Sequence, residues 1–135
     1  MIRYLLDTNH LGEAIGRVSV VRDHIQQLHR QGTVFGTCGP ALCELLVGVV
    51  LRKDAAKTRR RLDKLLQAVR IWPIDGAVAE HYAGAHHELQ KAGRALSQVD
   101  IMLAALARQM GATLLTTDND FRAFSDIKTE DWVAT

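Results

Sequence analysis

The feature that most constrains the fold is the alternation of short apolar segments with longer segments of helical periodicity. Candidate strands cover residues 2–6, 33–38, 71–74 and 112–116, with a weaker one at 126–132. Candidate helices cover residues 10–31, the segment from Gly39 onward, and residues 54–69, 77–92 and 97–110. This alternation favours an α/β fold with a parallel sheet covered on both faces. Pro73 predicts an edge position for segment 71–74, because proline cannot donate a ladder hydrogen bond.

Size and composition are those of one globular domain, which we expect to span residues 1–135. The chain has 135 residues, of which 47% are hydrophobic and 24% charged, enough for a core of its own. Cys38 and Cys43 make no disulfide framework and favour a reducing cytoplasm. We expect no signal peptide, and no apolar run approaches the roughly 18 residues that a membrane span needs.

Four acidic residues occupy comparable places near the ends of candidate strands. Asp7 follows the first strand and Glu44 lies early in the helix after the second. Asp100 lies in the first turn of its helix, and Asp118 follows the strand at 112–116. In open α/β sheets the functional crevice lies outside the carboxyl ends of the strands. Carboxylates that converge there repel each other, and a hard cation such as Mg²⁺ or Mn²⁺ relieves the repulsion.

Each acid also has a purely structural interpretation. Asp7 and Asp118 are placed to cap the turn or short helix that follows them. Ser97 precedes Asp100 by three residues, which is the spacing of a capping box. Glu44 resists this interpretation, because its apolar neighbours predict burial and an unpaired buried charge is costly. The four acids together therefore indicate a metal site more strongly than any one of them does.

The runs YLLDTN, ALCELLVGV, GRALSQVDIMLAALA and ATLLTTDNDF, in this order, resemble PIN-domain proteins. More narrowly, they resemble the VapC-type ribonuclease toxins of type II toxin–antitoxin pairs, from Tyr4 to about Trp132. The resemblance implies a PIN-like three-layer α/β/α sandwich with a central, mostly parallel sheet of four or five strands. The run CGPALCELL departs from the family, which more often has small hydroxylated residues before the glutamate helix.

The resemblance also implies site residues and a reaction. The family's acidic quartet carries over to Asp7, Glu44, Asp100 and Asp118, with Asn9 and Thr116 as supporting polar residues and Asp120 as an acid that supports the metal or shares the role of Asp118. The implied activity is that of a Mg²⁺- or Mn²⁺-dependent endoribonuclease with one or two ions, which leaves a 5′-phosphate and a 3′-hydroxyl. Asp7, Asp100 and Glu44 are then direct or water-mediated ligands, and Asp118 belongs to a second metal position.

Two protein partners are implied as well. The resemblance implies a homodimer, and we expect Leu42, Leu46 and Val49 to supply apolar surface for it. It also implies a cognate antitoxin, from which an arginine or lysine enters the acidic pocket while an amphipathic helix lies in an apolar groove beside it.

Charge is segregated along the chain. Residues 52–64 hold seven basic and two acidic residues, a local charge of +5, while the remaining ten basic and thirteen acidic residues give −3. A basic stripe is the electrostatic footprint of phosphate contact, although a solvated helix face has the same appearance. Candidate RNA contacts are Arg59, Arg60, Arg61, Lys91 and Arg94. With only 5% aromatic residues, a broad base-stacking platform is excluded.

Other classes of site fit less well. An aspartate-nucleophile phosphatase needs a second aspartate where this chain has Asn9, and a receiver domain needs a late lysine that the TTDND region lacks. A non-catalytic PIN-like domain that binds RNA or protein stays open as an alternative. His86 and His87 lack the spacing of a zinc motif. His10, after the Asp7 turn, has either a supporting role at the site or a structural one.

Overall fold

The computed structural model describes residues 1–134; Thr135, the last residue of the predicted domain, lies outside the described residues. The strands are β1 (Arg3–Leu6), β2 (Val34–Cys38), β3 (Val69–Trp72), β4 (Thr113–Leu115) and β5 (Thr129–Glu130). The helices are α1 (Thr8–Ala14), α2 (Val20–Arg30), α3 (Gly39–Val50), α4 (Ala55–Leu65), α5 (Gly76–Ala92) and α6 (Gln98–Met110). A short 3₁₀ helix at Asn119–Ala123 lies between β4 and β5.

The five strands form one sheet in the order β3-β2-β1-β4-β5, and each neighbouring pair is parallel. The predicted α/β class with a central parallel sheet is therefore confirmed. Strand order changes direction at β1, since β2 and β3 lie on one side of it and β4 and β5 on the other. Such a reversal opens a crevice at the carboxyl ends of the strands. Asp7, which follows β1, lies at this place.

The buried centre of the sheet is apolar. Leu5 and Leu6 of β1, with Leu114 and Leu115 of β4, are fully buried. The segment of α6 from residue 103 to 107 is also buried throughout. A short parallel strand can be this apolar because helices cover both of its faces. The residues that follow β1 and β4 are therefore attached to the buried centre of the sheet.

Three predicted elements have different bounds. The helix predicted at 10–31 is two helices, because the Ser19 hydroxyl accepts a hydrogen bond from Arg22 N (3.0 Å) and starts α2 separately. The predicted strand at 71–74 begins at Val69 and ends before Pro73, and its edge position is confirmed. The helix predicted at 54–69 ends at Leu65.

The apolar surface of α3 differs from the expectation. Val49 is buried, so the prediction that it supplies surface for a dimer is wrong; Leu42 and Leu46 pack against the core but are only partly buried. Val47 and Val50 are 64% and 74% exposed instead. At the helical period of 3.6 residues per turn, the apolar residues of α3 form two stripes along the helix. The sequence alone does not say which stripe faces the core. Within residues 1–134, no helix has both the length and the apolar character needed to cross a membrane.

Candidate active site

Asp7 and Asp118 follow the two central strands. The Asp7 backbone N–H donates to Leu115 O (3.2 Å), which continues the pairing of β1 with β4. The Asp7 residue is only 5% exposed, whereas Asp118 is exposed. Thr116, between β4 and Asp118, is buried and pairs through its N–H with Glu130 O (3.0 Å) on β5. The two acids are thus fixed by neighbouring strands of the same sheet edge.

Three acids of the quartet also lie at capped helix starts. Asp7 Oδ1 accepts from His10 N (2.8 Å), and Asp118 Oδ1 accepts from Asp120 N (2.9 Å). Ser97 Oγ accepts from Asp100 N (3.1 Å), which places the carboxyl of Asp100 in the first turn of α6. The structural interpretation of these acids is therefore correct. A capping role is compatible with a role in a metal site, because a cap fixes the carboxylate, or the backbone that carries it, at the crevice.

The four acids come close enough to influence one carboxyl group. Burial raises the pKa of Asp100 above its ordinary value, and a hydrogen bond from Ser97 acts in the opposite direction. The negative charges of Asp7, Asp118 and Glu44 raise the pKa further. Like charges disfavour ionisation only at short range. The charges of the other three acids therefore act on the carboxyl group of Asp100.

Glu44 reaches the crevice from an exposed position. The prediction that it is buried among apolar neighbours is wrong, because it lies on the solvent side of α3 next to the exposed Val47. Its Oε1 accepts a hydrogen bond from Thr8 Oγ1 (2.7 Å), which ties α3 to the start of α1. Thr8 was missed in the sequence, where the only signal is its position between Asp7 and Asn9.

The supporting polar residues join α1 to the segment after β4. Asn9 Nδ2 donates to Thr117 Oγ1 (3.1 Å). Thr116 Oγ1 accepts from Asp118 N (3.0 Å), which fixes the turn in which Asp118 lies. Both predicted residues, Asn9 and Thr116, are therefore next to the quartet. Each orients the backbone or the side chain of a neighbouring residue.

Arg94 and Asp120 lie together at the exposed rim. Arg94 Nη1 donates to Asn119 O (3.0 Å) and is 3.6 Å from Asp120 Oδ1. The positive charge of Arg94 therefore balances the negative charge of Asp120. This ion pair distinguishes Asp120 from Asp118. Lys91, near the end of α5, is exposed.

The arginines of α4 differ in how many hydrogen bonds they make within the protein. Arg61 Nε donates to Ile15 O (2.7 Å) and Nη2 to Thr58 Oγ1 (3.2 Å), so its guanidinium joins α4 to the end of α1. Arg59 Nε donates to Asp63 Oδ1 (3.1 Å), in an exposed pair. Arg60 is exposed. Arg59 and Arg60 are therefore more available to a ligand than Arg61.

The donor set fits a hydrated divalent cation. Carboxylate oxygens are the ligands that Mg²⁺ and Mn²⁺ prefer, and the repulsion at Asp100 is relieved by a positive charge. Among residues 1–134, no group of three or more His, Cys, Asp or Glu side chains is arranged so that it could hold a metal ion. Mg²⁺ usually binds through one or two carboxylates and keeps several waters, so an open site of this kind is suited to it.

Replacing Asp100 by asparagine is expected to stabilise the protein at neutral pH. A raised pKa means that the folded state holds the Asp100 proton more tightly than the unfolded chain does, so ionisation costs stability. The cost is fully present above the folded pKa and vanishes below the ordinary aspartate pKa of about 3.9. We expect a gain of roughly 1 kcal/mol or less, given the partial exposure. Urea unfolding across this pH range measures it; no gain over Asp23→Asn at neutral pH would contradict it.

Comparison with known proteins agrees with this geometry. The family model described as PIN domain matches residues 4–127. That is most of the chain, so the chain belongs to the PIN domain family. Within the family it belongs with VapC: 99 residues are 33% identical to Ribonuclease VapC4 of Mycobacterium tuberculosis, over 72% of this chain and 76% of that protein. The tRNA(fMet)-specific endonuclease VapC of Shigella flexneri is 25% identical over 134 residues, covering 98% of this chain and 99% of that protein.

The same fold occurs in a solved toxin–antitoxin complex. VapBC2 from Rickettsia felis, bound to a DNA fragment from its promoter, superposes with a TM-score of 0.85. The match covers 97% of this chain and 99% of that chain at 23% sequence identity. At this identity the match shows a shared fold. The predicted resemblance to VapC-type PIN-domain proteins is thereby confirmed.

Proposed function

We propose that this protein is a divalent-metal-dependent endoribonuclease and the toxin of a VapBC-type toxin–antitoxin pair. The observation that carries the proposal is the placement of Asp7 and Asp118 directly after the neighbouring strands β1 and β4, where their charges also act on the carboxyl group of Asp100. Membership of the PIN family, among relatives named VapC ribonucleases, supports RNA as the substrate. We place its action in the cytoplasm, in agreement with its free cysteines.

The residues of the chain have separate tasks in this mechanism. Asp7, Asp100 and Glu44 would hold the ion directly or through water, and Asp118 would serve a second ion. A bound ion supplies a more acidic water and neutralises charge on the phosphate. Thr8 holds the exposed Glu44 toward the crevice through its hydroxyl. Because helix starts and neighbouring strands fix the acids before RNA binds, little reorganisation is needed.

Cleavage of RNA is expected only when Mg²⁺ or Mn²⁺ is present. The experiment incubates the purified protein with transfer RNA and with total bacterial RNA, in a chelator and after adding back each metal. We expect 5′-phosphate ends that appear on metal addition. Cleavage that persists in the chelator would contradict metal dependence. RNA binding without cleavage would favour the non-catalytic alternative, and hydrolysis of a phosphomonoester alone would favour a phosphatase.

The exposed arginines of α4 are proposed to contact the RNA backbone, together with Lys91 and Arg94. Replacing Arg59 and Arg60 by alanine is expected to weaken RNA binding and to reduce the slope of log affinity against log salt by roughly 0.7 per lost contact, because fewer counterions are released. Fluorescence anisotropy on an inactive Asp7→Asn background measures this. Arg17→Ala with Arg30→Ala removes the same charge elsewhere. An equal slope change in that control would contradict a specific surface.

A cognate antitoxin is proposed to bind beside the acids. A groove of about 470 Å³ between α1 and α3 is lined by Thr8, Asn9, Gly12, Ile15, Glu44, Leu45, Gly48, Val49 and Arg52. An amphipathic helix suits such a groove, and an antitoxin arginine among the carboxylates can pair with two oxygens at once. Antitoxin affinity is then expected to fall as Mg²⁺ rises. An affinity that ignores Mg²⁺ would exclude a shared site.

A homodimer is proposed as the form in solution. The solvent side of α3 and the residue after it expose Val47, Val50 and Leu51, the last of them to 81%. Exposed apolar side chains that adjoin one another are typical of protein–protein contacts. Sedimentation at high micromolar concentration tests the proposal, and a monomer there would overturn it.

A further inference from the structure

We propose that His10 is a positioning residue for Asp7. The backbone N–H of Trp132 fixes the tautomer in which the His10 ring donates a hydrogen bond to the Asp7 carboxylate. The inference rests on the proposed function, since Asp7 is there a metal ligand. His10 is fully buried in the first turn of α1, and the proposed mechanism does not otherwise use it.

The hydrogen bonds of His10 fix its tautomer. Trp132 N lies 3.1 Å from His10 Nε2, and a backbone N–H can only donate, so Nε2 accepts. A neutral imidazole whose Nε2 is unprotonated carries its hydrogen on Nδ1. His10 Nδ1 lies 3.1 Å from Asp7 Oδ1. The ring therefore donates from Nδ1 to the Asp7 carboxylate.

A second acid near the ring does not change this assignment. Asp131 Oδ1 lies 3.8 Å from His10 Nε2, which is too long for a hydrogen bond. The same oxygen already accepts from Val133 N (2.9 Å) and Ala134 N (3.2 Å). Asp131 thus shapes the turn that presents Trp132 N–H to the ring. A doubly protonated ring bridging Asp7 and Asp131 is the competing arrangement.

The consequence for Asp7 is a carboxylate held through one oxygen. Asp7 Oδ1 accepts from both the backbone N and Nδ1 of His10. Among residues 1–134, no hydrogen bond reaches Oδ2, so that oxygen is the one available to a cation. Two donors on one oxygen restrict rotation of the carboxylate. Carboxylate ligands of metals are commonly oriented in this way by hydrogen bonds from their surroundings.

The donor at Trp132 is itself held by packing of its side chain. The indole ring lies against Tyr4 (centroids 5.0 Å apart), Phe35 (5.9 Å) and His24 (3.9 Å). Tyr4 and Phe35 belong to the paired strands β1 and β2. The segment after β5 is thereby connected to the first acid of the site. The connection joins residues that are 122 positions apart in the chain.

The first test reads the tautomer directly in protein without metal. Long-range ¹H–¹⁵N spectra of the imidazole distinguish a protonated from an unprotonated ring nitrogen. We expect Nδ1 protonated and Nε2 unprotonated in the intact chain at neutral pH. Protonation of Nε2, alone or together with Nδ1, would overturn the proposal. This readout does not depend on nuclease activity.

The second test separates positioning from packing. His10→Phe keeps the ring volume and removes the donor, whereas His10→Asn places an amide N–H near the position of Nδ1. We expect His10→Phe to lower Mn²⁺ affinity and kcat roughly 10-fold to 100-fold. We expect His10→Asn to recover most of that loss even if its melting temperature is lower. His29→Ala removes an exposed histidine near the end of α2 and is expected to leave both values unchanged.

The outcomes distinguish this proposal from the proposed function. Loss of cleavage in Asp7→Asn with full Mn²⁺ affinity and activity in His10→Phe would overturn positioning alone. If Mn²⁺ affinity and kcat fall in proportion to the melting temperature in both His10 variants, His10 has only a structural role. That result also overturns the positioning proposal. Full cleavage by Asp7→Asn would instead remove the proposed function on which positioning rests.

Discussion

Replacing Asp7 by asparagine is expected to reduce RNA cleavage on the order of 10³-fold and to leave the fold intact. The amide oxygen can still accept from His10 N and Nδ1, so the start of α1 keeps its cap. The variant lacks the negative charge that binds a cation, and a metal contributes several kcal/mol to stabilising charge in the transition state. Each 1.36 kcal/mol is a factor of about ten in rate. The measurement is kcat/KM on one RNA at fixed Mg²⁺, with circular dichroism to verify folding.

A matched control for this experiment is Asp23→Asn. Asp23 is exposed in the first turn of α2, so the exchange removes the same charge outside the crevice. We expect wild-type cleavage from it. Asp100→Asn is expected to lose cleavage as Asp7→Asn does. Undiminished cleavage by both Asp7→Asn and Asp100→Asn would end the assignment of these acids to the reaction.

Replacing Gly36 by valine is expected to lower the free energy of unfolding by about 3 kcal/mol. Gly36 lies in β2, and the indole ring of Trp72 on the edge strand β3 lies directly over it. A Cβ at position 36 would overlap Cε3 and Cζ3 of Trp72. Since Trp72 is nearly buried, the ring must move out of its packing for any side chain to fit. Urea unfolding monitored by tryptophan fluorescence measures the loss.

The control for Gly36 is a glycine with open space. Gly84 lies inside α5, and no atom is within 4 Å of a Cβ built there. Gly84→Ala is expected to stabilise the protein by roughly 0.5 to 1 kcal/mol, because alanine is the better helix former. A Gly36→Val variant as stable as the wild type would show that Trp72 is not confined. In that case the edge strand β3 can shift to admit a side chain at position 36.

Local chemistry made much of the site predictable. The caps at Asp7, Asp100 and Asp118 involve residues two or three positions away, and the short strands that precede Asp7 and Asp118 were visible as apolar runs. Parallel strands bring their carboxyl ends to one edge, so the acids could be expected to meet there. The fold class was therefore predictable from short-range patterns, whereas the assignment of the four acids to one metal site stays a prediction.

What could not be predicted depends on which face of an element meets which neighbour. Glu44 has apolar neighbours in sequence, yet it lies on the exposed side of α3 while Leu45 next to it is buried, so the inferred burial was wrong. The guanidinium of Arg61, expected to be available to RNA, is bonded to Ile15 O across 46 positions. The Trp132 contact of His10 spans an even larger separation. No period or spacing in the chain encodes such contacts, because they arise only after the helices pack.

The position of β1 at the centre of the sheet also has a consequence for synthesis on the ribosome. Asp7 is synthesised before β4, with which the strand that precedes Asp7 pairs. The His10 ring beside Asp7 accepts its hydrogen bond only after Trp132 has been synthesised. Folding that depends on such distant contacts cannot be completed by a partial chain. A growing polypeptide that already carries Asp7 and Glu44 still lacks the segment that brings Asp118 to them. The crevice therefore assembles only after the segment that carries Asp118 and Trp132 has been made.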